Sequence, residues 1–219
     1  MLAFSLARGS TSSLSVLVVG AHSDDIEIGC GGTLLQLARD VHDLSVYWVV
    51  LGARGERADE ARRSADALLS AVPGRTVVIQ EFRDAFLPYV GESVKEFFED
   101  LKQKVSPDVI FTHQRHDLHQ DHRLVCELTW NTFRDHLIVE YEVPKYDGDV
   151  GTPNFFVHLD DEIVRRKVDL LLDQFATQRD RRWFTDDLFR ALMRIRGMES
   201  NAPSGYAEGF YARKLVWSP

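Results

Sequence analysis

Residues 14–40 of the chain read LSVLVVGAHSDDIEIGCGGTLLQLARD. The first part, 14–20, is a short apolar run that is rich in Val and closed by Gly, which is typical of a strand buried on both faces. Residues 31–40 repeat Leu and Ala at helical spacing, so a helix is expected there. Between them stands the polar turn His-Ser-Asp-Asp (22–25). A strand, a polar turn and a helix in this order favour an α/β fold.

The same alternation continues through the first two thirds of the chain. The further predicted strands are 44–51, 75–80 and 108–112, and the further predicted helices are 58–69, 93–105 and 121–133. Apolar strands that alternate with helices predict a Rossmann-like, mostly parallel sheet covered by helices on both faces. In such a sheet, ligands bind at the carboxyl ends of the strands.

The C-terminal part of the chain is less regular. Its predicted strands and helices are 137–143, 163–175, 185–196 and 210–217. We expect this part to form a cap on the sheet. The whole chain (1–219) is then one domain, and its Ser-rich beginning (1–13) is expected to be a loose arm.

Composition narrows the class of protein. The chain has 219 residues, of which 44% are hydrophobic, and this is enough for the full core of one domain. Its net charge of −8 disfavours nucleic acid as a partner, because phosphate binding needs clustered positive charge. No apolar stretch approaches about 18 residues, so no membrane span is expected. Two cysteines, Cys30 and Cys126, exclude a disulfide framework. Without a convincing signal peptide, the expected location is cytoplasmic.

The His-Ser-Asp-Asp turn allows two interpretations. Adjacent carboxylates repel each other, and they persist more readily when a cation or a proton lies between them. Histidine nitrogen and aspartate oxygen are ordinary zinc ligands. In the alternative interpretation, Ser23 and Asp24 only cap the helix that follows. The turn by itself does not decide between the two.

A second polar segment, THQRHDLHQDH (112–122), follows the fourth predicted strand and holds four of the eight histidines of the chain. A histidine cluster can be solvated surface, and an exposed loop is the expectation for His113 and His116. His119 and His122 are three residues apart, which places them on one side of a helix start. Since both polar segments stand at strand carboxyl ends, together they predict a metal site with three protein ligands and a water.

The two segments also resemble a known family. AHSDDIEIGCGGT (21–33) resembles the AHPDDE-type signature of the PIG-L/LmbE-like zinc-dependent N-acetylglucosaminyl de-N-acetylases, and HQDH (119–122) resembles their HPDH motif. The resemblance extends over residues 14–135 and returns at YAEGF (206–210). It implies a Rossmann-like fold, a Zn²⁺ cofactor and hydrolysis of an N-acetyl group on a small amino-sugar substrate. Another divalent transition metal, such as Fe²⁺, suits the same ligands.

The resemblance also implies roles for individual residues. The metal ligands would be His22, Asp25 and His122. The catalytic residues would be Asp24 as general base, His119 as the histidine that assists charge development or the leaving amine, and Asp121 as its orienting partner. The substrate-binding residues would be Arg57, Asp84 and Tyr206.

The chain departs from the family pattern at a few positions. Ser23 and Gln120 each replace a proline, and Ile26 replaces a glutamate. None of these changes removes a ligand or the base. The glycine-rich run 29–32 lacks a phosphate-loop lysine, so we expect it to allow close backbone packing where the helix begins.

Other functions stay open at the level of sequence. One is an amidase that acts on a larger amino-sugar amide. Another is a non-catalytic Rossmann-like module that binds nucleotides or sugars, although the retention of every catalytic position argues against it. In a third, the metal is purely structural. A homo-oligomer is compatible with all of these.

Overall fold

The computed structural model describes residues 13–216, so residues 1–12 of the expected arm and Trp217 of the last predicted strand lie outside it. The strands are β1 (Leu14–Gly20), β2 (Leu44–Val50), β3 (Gly74–Ile79), β4 (Val109–His113), β5 (Leu137–Tyr141), β6 (Phe155–Leu159) and β7 (Tyr206–Ala212). The helices are α1 (Asp25–Asp40), α2 (Glu56–Leu68), α3 (Gly91–Lys104), α4 (Gln120–Thr132), α5 (Asp161–Gln174) and α6 (Asp186–Ser200). Short 3₁₀ turns occur at Leu87–Val90 and Ala176–Gln178.

The seven strands form one sheet in the order β3-β2-β1-β4-β5-β7-β6. The first five strands in this order are parallel, and β7 is antiparallel to both of its neighbours. The α/β class and the mostly parallel sheet are therefore confirmed. After β1 the chain moves outward to β2 and β3, and it then returns to place β4 on the other side of β1. The strand order therefore reverses between β1 and β4, and ligands of such sheets bind at this crevice.

Strand β1 is mainly apolar because it is packed on both of its faces. Val16 and Val18 pack in the core beneath α1, α2, α5 and α6, whereas Leu17 and Val19 pack in the core beneath α3 and α4. All four side chains are fully buried or nearly so. Both faces of the strand are thus covered, as the continuous apolar run predicts.

The C-terminal part differs from the expected cap, because β6 and β7 extend the sheet. Strand β7 begins at Tyr206, four residues before the predicted start, and β6 was not predicted at all. The beginning of β7 escapes recognition because it holds a charged residue, Glu208, whose carboxylate is buried against Lys167 at 2.6 Å. Strand β6 is an edge strand with partly exposed side chains, so its pattern is weak.

Helix α1 consists of two segments. It begins at Asp25, six residues before the predicted start, and is interrupted at Cys30, whose φ of −142° and ψ of 15° are not helical. The second segment begins near the predicted position, and there the Glu208 carboxylate accepts hydrogen bonds from the backbone N–H groups of Gly32 and Thr33, both at 2.7 Å. Glu208 thus caps the start of the second segment of α1.

The glycine-rich run at this break is packed closely, as predicted. A Cβ atom on Gly29 would lie 2.1 Å from the ring of Tyr141, and one on Gly32 would lie 2.6 Å from Leu159. Cys30 and Cys126 are both buried free thiols. Within residues 13–216, no helix has the length and apolarity needed to cross a membrane.

Candidate metal centre and active site

The two polar segments meet at the crevice between β1 and β4. His22, Asp24 and Asp25 come from the turn between β1 and α1, and His122 lies in the first turn of α4. All four side chains are buried. The structure therefore brings together the three ligands that the sequence predicts and the predicted base.

The predicted ligand atoms form a nearly equilateral triangle. Nδ1 of His22 lies 3.1 Å from Nε2 of His122 and 3.3 Å from Oδ2 of Asp25, and the third edge, from Asp25 to His122, is 3.4 Å. A tetrahedral zinc ion with bonds of about 2.0–2.1 Å keeps its ligand atoms about 3.3 Å apart. Two imidazoles and one carboxylate at this spacing therefore fit a divalent transition metal in both chemistry and size.

The outer nitrogen of each ligand imidazole contacts a carboxylate. Nδ1 of His122 lies 2.9 Å from Oδ2 of Asp117. Nε2 of His22 lies 3.0 Å from Asp84 and 3.2 Å from Asp121. In the neutral form of each ring, the outer N–H donates to a carboxylate and the other nitrogen keeps a lone pair that faces the triangle. Metal-binding histidines are held in this way.

Burial and the charges of neighbouring groups shift the pKa of each of the three ligand side chains. Burial lowers the pKa of His22, but the charge of Asp25 and the hydrogen bonds from carboxylates raise it well above its usual value. Burial raises the pKa of Asp25, but the surrounding histidines, His122 first, hold it well below its usual range. Burial lowers the pKa of His122 to about 3. A metal ion therefore has to displace a proton mainly from His22.

The side chain of Asp24 is not used to cap a helix. It occupies the position before the first turn of α1, yet its side chain makes no capping hydrogen bond, so the alternative in which it only caps the helix is not realised. Burial raises its pKa to about 6, against the opposing charge of Arg57, whose guanidinium lies 3.3 Å away. A carboxylate with this pKa is a suitable base near neutral pH.

His119 caps helix α4 with its ring. Its Nδ1 accepts the backbone N–H of Asp121 at 3.3 Å, so the neutral ring carries its proton on Nε2. The ring centroid lies 4.7 Å from that of His122 and 4.9 Å from that of His22. Burial lowers the pKa of His119 below its usual value. His119 is therefore placed as a neutral N–H donor beside the ligand triangle.

The contacts of Asp121 differ from those implied by the resemblance. Its carboxylate contacts His22 and accepts the backbone N–H groups of Ala85 at 2.7 Å and Leu87 at 3.2 Å. Only its backbone N–H contacts the ring of His119. The Asp121 side chain thus orients a ligand imidazole and the loop after β3, and not His119.

Arg57 joins three groups around the site. Its guanidinium donates to Ser23 Oγ at 3.0 Å, to Asp84 at 3.0 Å and to Asp24 at 3.3 Å. Ser23, at a family proline position, therefore supplies an extra anchor for this arginine. The side chain of Asp84 is 51% exposed, and the hydrogen bond from His22 is the main reason that its pKa is lowered to about 2. Arg57 and Asp84 are thus charged groups at the open side of the site.

The loop that carries Asp84 is fixed by a strained residue. Ala85 has a φ of +65°, a left-handed conformation that is unfavourable for residues with a Cβ atom. Its N–H donates to Asp121, and its carbonyl accepts a hydrogen bond from Gln120 Nε2 at 3.2 Å. Two side chains of α4 therefore hold Ala85 on both sides, and Gln120 does so from the other family proline position.

Tyr206 is not brought to the site. Its ring packs against the core beneath α1, with the Arg194 guanidinium 5.4 Å from its centroid. Among the described residues it makes no hydrogen bond, ion pair or ring contact with the ligand triangle, Asp24 or His119. Within the YAEGF segment, it is Glu208 that contacts α1, where its carboxylate accepts the backbone N–H of Gly32.

Sequence reasoning missed two residues at the centre, His113 and Asp117. His113 was expected on an exposed loop, and this was wrong, because its ring is fully buried and stacks on His122 with centroids 3.9 Å apart. His116 is exposed, as expected. Asp117, which holds His122, also forms an ion pair with Lys145, whose Nζ lies 2.9 Å from its carboxylate. The signal for Asp117 was its place inside the histidine-rich segment.

Fold and donor cluster together define an α/β protein with a candidate histidine–aspartate metal site at the switch point of its sheet. The family model PIG-L, described as GlcNAc-PI de-N-acetylase, matches residues 17–133, which is more than half of the chain. The chain therefore belongs to the PIG-L family of de-N-acetylases, and the resemblance seen in the two motifs is confirmed.

Three individual proteins that resemble this chain are between 17% and 27% identical to it over the aligned residues. The uncharacterized deacetylase YaiS of Escherichia coli (strain K12) is 27% identical over 150 residues, which cover 64% of this chain and 79% of that protein. N,N′-diacetylchitobiose deacetylase from Pyrococcus horikoshii has a TM-score of 0.69 at 20% identity, covering 96% of this chain and 87% of its own. GalB, the 4-carboxy-2-hydroxymuconate hydratase of Pseudomonas putida KT2440, has a TM-score of 0.73 at 17% identity, with coverages of 94% and 98%. At these identities the two structures support the fold, and function has to be argued from the site.

Proposed function

We propose that this protein is a zinc-dependent hydrolase that removes the N-acetyl group from an amino-sugar substrate related to N-acetylglucosamine. The observation that carries the proposal is the ligand triangle of His22, Asp25 and His122, with both outer imidazole nitrogens on carboxylates. Family membership and the names of two similar proteins, a deacetylase and a diacetylchitobiose deacetylase, support the same reaction.

Zinc, held by these three residues, supplies a Lewis acid that makes water more acidic and polarises the acetamide carbonyl. Asp24 accepts the proton of the attacking water, and Arg57 orients its carboxylate. The Nε2–H of His119 donates to the oxygen on which negative charge develops. Asp24 then passes its proton to the departing amine, so that acetate and a free amino sugar are released.

Arg57 and Asp84 serve substrate binding in this proposal. Both lie at the open side of the site, and sugar hydroxyl groups can donate to the half-exposed carboxylate of Asp84. Tyr206, which makes no hydrogen bond, ion pair or ring contact with the site among the described residues, has no part in it. Iron or another divalent transition metal would serve the same ligands, since imidazole and carboxylate do not select for zinc alone.

The test combines metal content with acetate release. Wild-type protein, Asp25→Ala and Asp24→Asn are purified without chelating resin, and bound metal is measured by elemental mass spectrometry. We expect about one zinc ion per chain in the wild type and in Asp24→Asn, and none in Asp25→Ala. Acetate release from N-acetylglucosamine or diacetylchitobiose should fall by about 10²–10⁴-fold in Asp24→Asn.

Several outcomes would contradict the proposal. Absence of metal from the wild type even after zinc is added would favour the non-catalytic binding module. Near wild-type turnover in Asp24→Asn would remove it as the base. Cleavage of longer N-acyl glucosamines, with no cleavage of the N-acetyl compound, would favour the amidase alternative.

A further inference from the structure

His113 is a buried histidine that the proposed reaction does not use. It is the last residue of β4, and its side chain is fully buried. Three groups surround its Nε2: the backbone N–H of Ala21 at 3.0 Å, Oδ2 of Asp25 at 3.3 Å and the hydroxyl of Tyr141 at 3.3 Å. Because buried polar atoms are normally hydrogen-bonded, one of these groups has to pair with Nε2.

Among these three groups, Ala21 supplies the hydrogen atom. The carboxylate of Asp25 accepts, and the hydroxyl of Tyr141 donates to the carbonyl of Val19 at 2.8 Å. A backbone N–H can only donate, so Nε2 accepts it and carries no proton. The proton of the neutral ring is then on Nδ1, which has no hydrogen-bond partner among the described residues. His113 thus leaves a buried donor unpaired in order to accept at Nε2.

The accepted hydrogen bond holds the turn that carries a predicted metal ligand. Ala21 directly precedes His22, and its carbonyl accepts the backbone N–H of Gly52 at 2.7 Å. The start of the turn is therefore fixed on one side by His113 and on the other side by the loop after β2. Any shift of Ala21 would displace the imidazole of the residue that follows it.

The ring of His113 also contacts the second ligand segment. It stacks on the ring of His122 in α4, with centroids 3.9 Å apart and planes at 21°. His22 and His122 are 100 residues apart in the chain, yet their ligand nitrogens lie 3.1 Å apart. One side chain from β4 therefore contacts both of the segments whose spacing defines the ligand triangle.

We propose that His113 is a positioning residue that sets the spacing of the ligand triangle, by holding the start of the His22 turn and the ring of His122. The inference rests on the proposed function, because it takes the metal to lie in the triangle. An imidazole suits both contacts, since it offers an aromatic face and a nitrogen acceptor on one rigid ring. Phenylalanine would keep the face and lose the acceptor, whereas glutamine would keep an acceptor at a similar reach and lose the face.

An alternative role for His113 is that of a metal ligand. Its Nε2 and ligand atoms of Asp25 and His122 lie within 4.8 Å of one another. Two observations argue against this role. The hydrogen bond from Ala21 occupies the lone pair that a metal would need. The stacking on His122 keeps the two ring planes apart, and one ion cannot lie in both planes, as coordination by both rings requires.

The experiment measures zinc affinity by competition with a chromophoric chelator, in wild type, His113→Phe, His113→Gln and His158→Phe. We expect His113→Phe to weaken zinc binding by about 10–100-fold, as loss of groups that orient metal ligands does. His113→Gln should recover most of this loss, because it keeps an acceptor for the N–H of Ala21. His158 is an exposed histidine on β6, so its replacement should leave the affinity unchanged.

Two spectroscopic measurements report the geometry without any hydrolysis. The absorption bands of bound Co²⁺ should change in His113→Phe and return toward those of the wild type in His113→Gln. In isotopically labelled, metal-free wild type, NMR should show a coupling across the hydrogen bond between the nitrogen of Ala21 and Nε2 of His113, with the ring proton on Nδ1. The NMR measurement decides the proposal even if His113→Phe does not fold.

Three outcomes would overturn the inference. A His113→Phe protein with a lower Tm and wild-type zinc affinity would give His113 a purely structural role. A ring proton on Nε2 would mean that His113 does not accept from Ala21. Loss of the coupling to Ala21 when zinc is added would make His113 a ligand.

The proposed function stands or fails separately. Weakened zinc binding in His113→Phe, together with no acetate release by the wild type, would support the inference and contradict the proposed reaction. Acetate release by the wild type, together with unchanged zinc affinity in His113→Phe, would overturn the inference and leave the reaction intact. A wild type that binds no zinc would overturn both.

Discussion

Oδ2 of Asp117 lies 2.9 Å from Nδ1 of His122, on the side of the ring that faces away from the ligand triangle. This contact fixes the His122 proton on Nδ1 and so leaves Nε2 free to bind a metal. Although burial raises the pKa of Asp117, the hydrogen bond from His122 and the nearby positive charges hold it well below its usual range. A carboxylate that stays ionised is a strong acceptor for this N–H.

We therefore expect Asp117→Asn to weaken zinc binding by about 10–100-fold, as loss of such supporting carboxylates does. The measurement is competition for zinc with a chromophoric chelator. Asp149→Asn is the matched control, because Asp149 also contacts Lys145 but does not contact His122. Equal effects of the two substitutions would mean that the Lys145 network, and not the His122 contact, determines affinity.

Metal removal should abolish activity and leave the fold in place. The two hydrophobic cores are built from the sheet and its helices and do not include the ligand side chains. After treatment with EDTA, the far-UV circular dichroism should be unchanged and Tm should be lower. Added zinc should restore Tm, since a ligand at 1,000 times its Kd stabilises the folded state by about 4 kcal/mol. Unfolding in EDTA would instead favour a structural metal.

Gln120→Met should weaken substrate binding more than turnover. The substitution keeps the side-chain length but removes the donor to the Ala85 carbonyl, so the strained loop that carries Asp84 loses one of its two anchors. A single neutral hydrogen bond contributes about 0.5–1.5 kcal/mol, which corresponds to a rise in KM of about 2–13-fold. Steady-state kinetics measures it, with Gln103→Met on the exposed face of α3 as the control. A drop in kcat with constant KM would contradict this role.

Glu27→Gln should stabilise the metal-free protein in a pH-dependent way. Burial raises the pKa of Glu27 to about 8, against the smaller opposing effect of Ser64. Because the unfolded chain ionises near its ordinary value, about 4.5, the wild type loses stability as the pH rises from about 4.5 to about 8.

The gain from Glu27→Gln should thus be absent at pH 4 and on the order of 2–3 kcal/mol at pH 7. Urea unfolding at several pH values measures it, with Glu96→Gln at an exposed site on α3 as the control. A gain that does not change with pH would show that ionisation of Glu27 is not its cause.

Local patterns in the sequence were sufficient to predict the first part of the fold and the meeting of the two polar segments. The run at 14–20 is apolar because both faces of β1 are covered, and this signal does not depend on distant residues. The two segments were expected to meet because the carboxyl ends of β1 and β4 lie at one crevice, whereas the ligand roles of His22, Asp25 and His122 are implied by the resemblance to the family.

What could not be predicted depends on contacts between distant segments. The role of Glu208 requires β7 to lie inside the sheet, where its charge is compensated by Lys167. The burial of His113 depends on the ring of His122 stacking over it. The direction of the Asp121 carboxylate depends on the loop after β3, 34–36 residues earlier in the chain. No spacing rule within one segment reveals such partners.

The break in helix α1 has a consequence for biosynthesis. Glu208, which caps the second segment of α1, follows Gly32 by 176 residues. Since chains emerge from the ribosome with the N-terminus first, the His22 turn is synthesised long before its helix can be completed. The second segment of α1 therefore gains its cap only after β7 has been inserted between β5 and β6. We expect chains that are truncated before Glu208 to lack an intact α1, the helix whose first turn carries Asp25.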